Sequence, residues 1–218
     1  MKRKVAVIHT FLYSVEDLKK LFQEKLPEVE MINIIDDSLL QEALANKGIT
    51  PGIIRRISRY AIEAEALGAE VILNQCSSVG EAADIAQKQV NIPIVKIDQP
   101  MAEKAVELGS RIAVIATAVS TIEPSSRLVE SMAQNAGKEV TVSRCFCEGA
   151  YEALLLENNR EKHNQIVIDT IQKAAEENDV IVLAQGSMYH LMPLLGHIKV
   201  PVLTSLETGV AQIKELLK

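Results

Sequence analysis

Aromatic residues are scarce in this sequence, and tryptophan is absent. Aromatic side chains account for 3% of the 218 residues, although 48% of the chain is hydrophobic. The core must therefore consist mainly of Ile, Leu, Val and Ala, which is the usual filling of a parallel sheet covered by helices on both faces. At this length, one or two domains are expected.

Other absences argue against several classes of protein. The net charge of −6 and the lack of a basic cluster are unlike a nucleic-acid-binding surface. No hydrophobic run approaches the length of a membrane span, and neither a Gly-rich dinucleotide fingerprint nor a P-loop is present. We therefore expect a cytoplasmic protein that binds neither nucleic acid nor membranes and uses no nucleotide cofactor.

The chain contains three cysteines, Cys76, Cys145 and Cys147. They are too few for a disulfide framework and lack the spacing of a structural zinc site. Cys145 and Cys147 alternate across the end of a predicted strand, where buried packing is the expected role. No metal site is predicted.

What the sequence does contain is a regular alternation of short apolar runs and longer amphipathic segments. The apolar runs have the length of strands, and the segments between them have helical periodicity. In the first half we predict strands over 4–10, 29–35, 70–74 and 92–97. Helices are predicted over 14–25 with Ser14 as N-cap, from Pro51 to about 67, and from Cys76 to about 88.

The pattern then repeats. Residues 111–117 match 4–10, residues 179–185 match 70–76, and the offsets of all five matched segments lie between 107 and 111. Chance similarity rarely keeps such regular spacing. We therefore predict an α/β fold with two pseudo-symmetric lobes, each a roughly four-stranded parallel sheet flanked by helices. The predicted lobes comprise residues 1–98 with 207–218, and residues 99–206.

Cys76 lies just beyond an apolar run and directly before a predicted helix. In open α/β sheets the carboxyl ends of the strands line the ligand crevice, and a helix N-terminus favours a thiolate over a thiol. If the lobes pack about a pseudo-twofold axis, equivalent strand ends face each other across one cleft, with Cys76 opposite Gln185. His9 and Thr10 end the first strand and are candidate site residues as well.

Four segments carry a resemblance to a known family, namely 71–78, 115–121, 148–154 and 181–188. The first is similar to a Cys-Asn-Thr block, and the second to an Ala-Thr-x-x-Thr turn that binds carboxylates. Through them the chain resembles the aspartate/glutamate racemase superfamily over nearly its full length. The resemblance implies a cofactor-independent enzyme, a small carboxylate substrate (amino acid, hydroxy acid or diacid) and a homodimer.

In the racemases of this superfamily two cysteines flank the substrate Cα, one removing a proton and the other returning one on the opposite face. The resemblance gives Cys76 the first role, as thiolate base or nucleophile. N–H and hydroxyl donors at helix starts hold the carboxylate as enolate charge develops. The substrate-binding residues implied are Thr10, Asn74, Ser77, Ser78, Thr117, Ser120, Thr121, Gln185, Gly186 and Ser187.

The second cysteine is missing, and Gln185 takes its place. A carboxamide is not a Brønsted base near pH 7, so three reaction schemes stay open. In the first, His9 acts as the second acid/base, since its ordinary pKa of about 6.5 suits proton transfer. In the second, protonation from one face is enough, as in a decarboxylation or a one-sided isomerisation. In the third, Cys76 adds to a double bond of the substrate. A non-catalytic, two-lobed small-molecule sensor is the interpretation from outside the enzymes. The leading hypothesis is a racemase- or isomerase-type enzyme.

Overall fold

The chain divides into two compact units in the computed structural model, which describes residues 2–12 and 15–218 without the side chains of Ser120 and Leu155. The first unit contains the chain up to Pro100 together with Leu206–Lys218, and the second contains Met101–Ser205. Ser14, predicted as a helix N-cap, lies outside the described residues.

A parallel sheet forms the centre of the first unit. Its strands are β1 (Arg3–His9), β2 (Val29–Ile35), β3 (Val71–Asn74) and β4 (Ile94–Lys96). They pair in the order β2-β1-β3-β4. The helices of this part of the chain are α1 (Val15–Lys25), α2 (Ser38–Ala45), α3 (Pro51–Ala66) and α4 (Gly80–Ala86).

The second unit has the same plan. Its strands are β5 (Arg111–Ala116), β6 (Thr141–Phe146), β7 (Val180–Leu183) and β8 (Val202–Thr204), paired in the order β6-β5-β7-β8. The accompanying helices are α5 (Gln99–Leu108), α6 (Val119–Asn135), α7 (Ala150–Leu155) and α8 (Arg160–Glu177), and α9 (Ser205–Leu216) follows β8. The predicted α/β class and the two four-stranded parallel sheets are therefore confirmed.

The internal duplication extends to single hydrogen bonds. In the first unit, Gln75 N donates to Ile8 O at 3.1 Å, and in the second, Ala184 N donates to Ile115 O at 3.0 Å. Ile8 pairs with Asn74 as Ile115 pairs with Leu183. The central strands of both sheets are buried throughout the apolar part of their length, which explains their continuous Val and Ile runs.

Local signals account for several helix ends. Thr50 caps α3 through a 3.1 Å hydrogen bond from Ile53 N to its hydroxyl, and Pro51 occupies the first turn as predicted. Gly68 follows α3 with a φ of +82°, a conformation that glycine adopts without strain. Among residues 2–12 and 15–218, no helix combines the length and the apolar character that crossing a membrane would require.

The segment after β3 differs from its prediction. Instead of one helix from Cys76 to about 88, a 3-10 turn over Ser77–Val79 precedes α4, and a second 3-10 turn over Gln87–Gln89 follows it. Helix α2 was not predicted. The short turn matters because it places Cys76 just before the first helical residue, still in an extended conformation with φ −124° and ψ 120°.

Candidate active site

Polar side chains gather where the strands of the first unit end. Ile8, Asn74 and Lys96 are paired across β1, β3 and β4. Two residues further on in the same register, just past the assigned strand ends, come Thr10, Cys76 and Asp98. Neighbouring parallel strands lie about 4.8 Å apart. We call Thr10, Cys76 and Asp98 the thiol row.

The second unit supports this extrapolation of the register. The same step beyond Ile115 and Leu183 leads to Thr117 and Gln185, and these two residues are in direct contact. Gln185 Oε1 accepts hydrogen bonds from Thr117 N at 2.6 Å and from Thr117 Oγ1 at 3.0 Å. In the second unit, residues two positions beyond the Ile115–Leu183 pair are therefore in contact.

Cys76 is a free thiol that is partly exposed. Its carbonyl oxygen accepts a 2.9 Å hydrogen bond from Asn74 Nδ2, and Val79 N donates to the same oxygen at 3.3 Å. One side of the thiol packs against the apolar cluster formed by β1, β3, α3 and α4. The main chain on both sides of Cys76 is thus held in place, while the residue stays partly exposed.

Buried polar atoms without a partner lie at the same sheet edge. His9 Nδ1, Thr10 Oγ1, Asn74 Oδ1 and Gln75 Oε1 are buried and have no hydrogen-bond partner within the described parts of the chain. The Asn74 amide cannot turn over without losing its bond to the Cys76 carbonyl, so its free oxygen is an acceptor. Each unpaired buried group costs about 1–3 kcal/mol, and such groups need a functional explanation.

His9 is fully buried, and its Nε2 lies 2.9 Å from Asn33 Oδ1. Burial lowers the pKa of His9, and the hydrogen bond to Asn33 only partly offsets that shift. Burial therefore favours the neutral ring. The tautomer that donates from Nε2 to Asn33 Oδ1 leaves Nδ1 as an acceptor. Strand alternation directs His9 to the sheet face opposite Ile8 and the thiol row.

Asp98 is a site residue that the sequence analysis missed. It follows β4 directly and is 8% exposed. Burial raises the pKa of its carboxyl, while a hydrogen bond from Ser77 and the charge of Lys96 oppose the shift. The signal that could have identified it is its position: Asp98 follows β4 at the same register as Cys76 follows β3.

Gln185 occupies the backbone position that Cys76 has in the first unit. It precedes the 3-10 segment Gly186–Leu194 with φ −131° and ψ 131°, close to the values of Cys76. Because the main-chain N–H of Thr117 can only donate, the atom facing it must be the amide oxygen. Gln185 therefore presents its NH₂ group, a pure donor, away from Thr117.

The other predicted site residues have less distinctive surroundings. Ser77 is half-buried and Ser78 exposed, while Thr121 N donates to Ala118 O at 3.0 Å in the first turn of α6. Gly186 and Ser187 are half-buried, and the Ser187 carbonyl lies 2.7 Å from His190 Nδ1. The Ser120 side chain lies outside the described part of the structure.

Cys145 and Cys147 contrast with Cys76. Cys147 is fully buried, and burial raises its pKa to about 11. Burial also raises the pKa of Cys145. Neither thiol is suited to act as a thiolate near pH 7. Across residues 2–12 and 15–218, no group of three or more His, Cys, Asp or Glu side chains is placed to hold a metal ion.

Comparison with known families gives this arrangement a context. Residues 14–213 match the family model described as Asp/Glu/hydantoin racemase. The chain belongs to the Asp/Glu/hydantoin racemase family. A comparison with curated protein sequences finds no match.

Solved structures of this family's fold are similar over the whole chain. A structure of an aspartate racemase homologue from Pyrococcus horikoshii is 19% identical, with a TM-score of 0.72 and 100% of each chain covered. Allantoin racemase from Klebsiella pneumoniae is 16% identical, with a TM-score of 0.71, 99% of this chain and 87% of that chain covered. A glutamate racemase isoform from Bacillus anthracis is also 16% identical, with a TM-score of 0.72 and 100% and 82% covered. At these identities the likeness shows the fold.

This member of the racemase family has its duplicated strand-end position filled in two different ways. The first repeat carries a thiol, which can take up and release a proton, and the second carries a carboxamide, which only donates and accepts hydrogen bonds. The two repeats therefore differ in the chemistry that this position can perform.

Proposed function

We propose that this racemase-family protein is a cofactor-independent racemase- or isomerase-type enzyme acting on a small carboxylate, with Cys76 as thiolate base or nucleophile. The observation that carries the proposal is the thiol row. The strand register, continued past the paired residues, matches a partly exposed thiol with a buried hydroxyl and a buried carboxyl at the carboxyl end of a parallel sheet, where open α/β folds bind ligands.

The chemistry of the neighbouring atoms favours one kind of carboxylate. Asn74 Oδ1 is an acceptor without a donor, Thr10 Oγ1 has no partner within the described residues, and Asp98 is a further acceptor when ionised. An amino acid brings an ammonium group with three N–H donors, a hydroxy acid brings one O–H donor, and an unsaturated diacid brings none. We therefore propose an amino acid, or another compound with N–H groups beside the reacting carbon, as the substrate.

In the proposed reaction, the Cys76 thiolate removes the proton from the substrate Cα. The Cα–H bond breaks, its electron pair passes into the carboxylate as an enediolate, and the proton stays on sulfur. A proton delivered to the other face gives the opposite enantiomer, and return of the same proton gives the starting one. Preorganised N–H and hydroxyl donors that hold the carboxylate stabilise the enediolate.

A one-thiol reaction is the second candidate, and the Thr117–Gln185 contact favours it. The Gln185 oxygen is already engaged by two donors, and its nitrogen cannot accept a proton near pH 7. A decarboxylation needs one protonation, which the Cys76 thiol can supply. His9 as the second acid/base remains a prediction. In its neutral form it can accept a proton at Nδ1, although alternation points it to the other face of the sheet from Cys76.

The substrate-binding residues predicted in the second unit, Thr117, Ser120, Thr121, Gln185, Gly186 and Ser187, remain predictions as well. Within this set, Gln185 is the residue to test first because its donor NH₂ group is oriented by Thr117. The predicted homodimer and the predicted cytoplasmic location are expectations from the resemblance and the composition.

The experiment that tests the proposed function uses the whole protein in deuterium oxide with a panel of single-enantiomer amino acids, hydroxy acids and unsaturated diacids. Cα deuteration is followed by NMR, enantiomer ratio by chiral chromatography, and carbon dioxide by a coupled assay. Deuteration with racemisation of an amino acid supports the main proposal, and carbon dioxide release supports the one-thiol lyase. Binding of a panel member with neither reaction would contradict both and support the sensor interpretation.

A further inference from the structure

Asp98 is placed beside Cys76 by the strand register. Asn74 pairs with Lys96, and Ile97 N donates to Asn74 O at 3.0 Å, which continues the β3–β4 ladder beyond the last assigned strand pair. Continued in the same register, the ladder matches Gln75 with Ile97 and then Cys76 with Asp98. Cys76 packs against the apolar cluster that contains Ile72 and Ile94.

Asp98 has interactions beyond the ordinary role of an aspartate before a helix. It immediately precedes α5, where an aspartate usually accepts a hydrogen bond from the main chain of the first turn. The interactions that stabilise its charged form come from Ser77, its own N–H and Lys96. Ser77 directly follows Cys76, so the carboxyl is linked to the turn that bears the thiol.

The charges around Asp98 are already paired with each other. Lys96, the cation that stabilises its charged form, is paired with Asp84 at 2.9 Å, and Asp84 adds a repulsive charge. Within the described residues no salt bridge reaches Asp98, so Ser77 is the side chain that holds the carboxyl by a hydrogen bond. A buried carboxyl without an ion-pair partner is typical of functional sites.

The duplication shows that the fold does not require this carboxyl. With the offset of 108 that relates the Pro93 and Pro201 segments, Asp98 corresponds to Leu206, which is fully buried. The repeat that carries the thiol has an acid at this position, and the repeat that carries Gln185 has an aliphatic residue. The acidic residue Asp98 therefore occurs in the same repeat as the Cys76 thiol.

We propose that Asp98 is a positioning residue of the Cys76 site and that its carboxylate, when ionised, makes the Cys76 thiolate a stronger base across the ladder and through Ser77. The inference rests on the proposed function, in which Cys76 is the base, but its test requires no substrate. A like charge nearby disfavours the thiolate and thereby increases the affinity of the sulfur for a proton. A stronger base suits the removal of a weakly acidic Cα proton.

The test is the pH dependence of Cys76 alkylation in the whole protein. Iodoacetamide modification of the peptide containing Cys76 is followed by mass spectrometry between pH 6 and 10, which separates it from Cys145 and Cys147. Asp98→Asn removes the charge but keeps the shape of the side chain. We expect its alkylation midpoint to fall by about 0.5 to 1 pH unit. The rate at the high-pH plateau should fall as well, because thiolate nucleophilicity decreases with thiol pKa.

Asp84→Asn is the matched control, since it removes a carboxylate that is exposed and paired with Lys96. We expect Asp84→Asn to have the same pH midpoint of Cys76 alkylation as the unsubstituted protein. Ser77→Ala is the second variant in case Asp98→Asn does not fold, and we expect a smaller shift in the same direction as for Asp98→Asn. Equal midpoints in the unsubstituted protein, Asp98→Asn and Ser77→Ala would overturn the proposal, whatever the panel assays show about the reaction.

Discussion

Two residues at one backbone position show how the repeats have diverged. Cys76 and Gln185 have nearly the same dihedral angles, and each directly precedes a 3-10 segment. In the strand register, Cys76 is matched with Thr10 and Gln185 with Thr117. In the second unit the threonine is bonded to the amide. In the first, the Thr10 hydroxyl has no partner among the described residues, and the thiol next to it is available for chemistry.

The Thr117–Gln185 contact leads to a stability prediction. Gln185→Ala removes the acceptor for both the N–H and the hydroxyl of Thr117, which is 4% exposed. We expect a loss of about 1–3 kcal/mol in the free energy of unfolding, measured by urea denaturation. Gln185→Glu keeps the acceptor and should retain most of that stability. An Ala variant as stable as the Glu variant would mean that the contact contributes nothing.

A second prediction at this scale concerns His9. Burial lowers its pKa in the folded protein, so the unfolded chain binds a proton more readily. The contribution of a neutral His9 is present above the unfolded pKa of about 6.5 and is lost as the pH falls below it. Urea unfolding at pH 7.5 and 5.5 should therefore show a smaller loss of stability in His9→Gln than in the unsubstituted protein. An identical loss in both would contradict this assignment.

At the scale of elements, helix α9 packs against Ile97, the residue before Asp98 in the thiol row. A Cβ atom on Gly209 would lie 2.9 Å from Ile97 Cγ1, 3.3 Å from Ile97 O and 3.5 Å from Ile97 Cα. Ile97 directly precedes Asp98 and donates its N–H to Asn74 O at 3.0 Å. Close packing of α9 on this main chain is therefore part of what positions the end of β4.

This contact reverses the usual effect of a glycine-to-alanine change within a helix. Alanine has the higher helix propensity by about 1 kcal/mol, but Gly209→Ala pushes against main chain, and overpacking costs about 1–3 kcal/mol. We expect net destabilisation in thermal or urea unfolding. Gly196→Ala is the control, since a Cβ there would meet nothing within 4 Å. A stabilised Gly209→Ala would show that the contact relaxes without cost.

Sequence patterns determine the elements more completely than they determine the site. The strands and the duplication could be predicted because burial on both faces demands continuous apolar runs, and these recur at regular offsets. The position of Asp98 directly after the fourth strand is visible in the sequence, but its burial and its hydrogen bond with Ser77 are not. From the sequence alone, an aspartate before a helix suggests only an ordinary capping role. The Thr117–Gln185 bond depends on the pairing of β5 with β7 and on a side-chain rotamer, neither of which a single sequence specifies.

At the scale of the whole molecule, the two units have the same strand order but differ chemically at the strand ends, where one has Cys76 and the other Gln185. Both units share strand order and hydrogen-bond pattern, yet the partly exposed Cys76 thiol, the buried Asp98 carboxyl and the unpartnered Asn74 oxygen belong to the first. The chain belongs to a family described as racemases, and our proposal places proton abstraction on the Cys76 side. The second unit then has a binding role rather than an acid/base role in our account.

The most direct test of that account is the rate of Cα deuteration of the best amino-acid substrate by Cys76→Ala, compared with Cys145→Ala. Positioned proton transfer contributes about 10²–10⁴-fold, so Cys76→Ala should lose at least about a hundredfold while its unfolding free energy changes little, because Cys76 is only partly buried. Cys145→Ala should deuterate the substrate at the rate of the unsubstituted protein. Undiminished deuteration by the Cys76→Ala protein would contradict the central claim that this sulfur is the base.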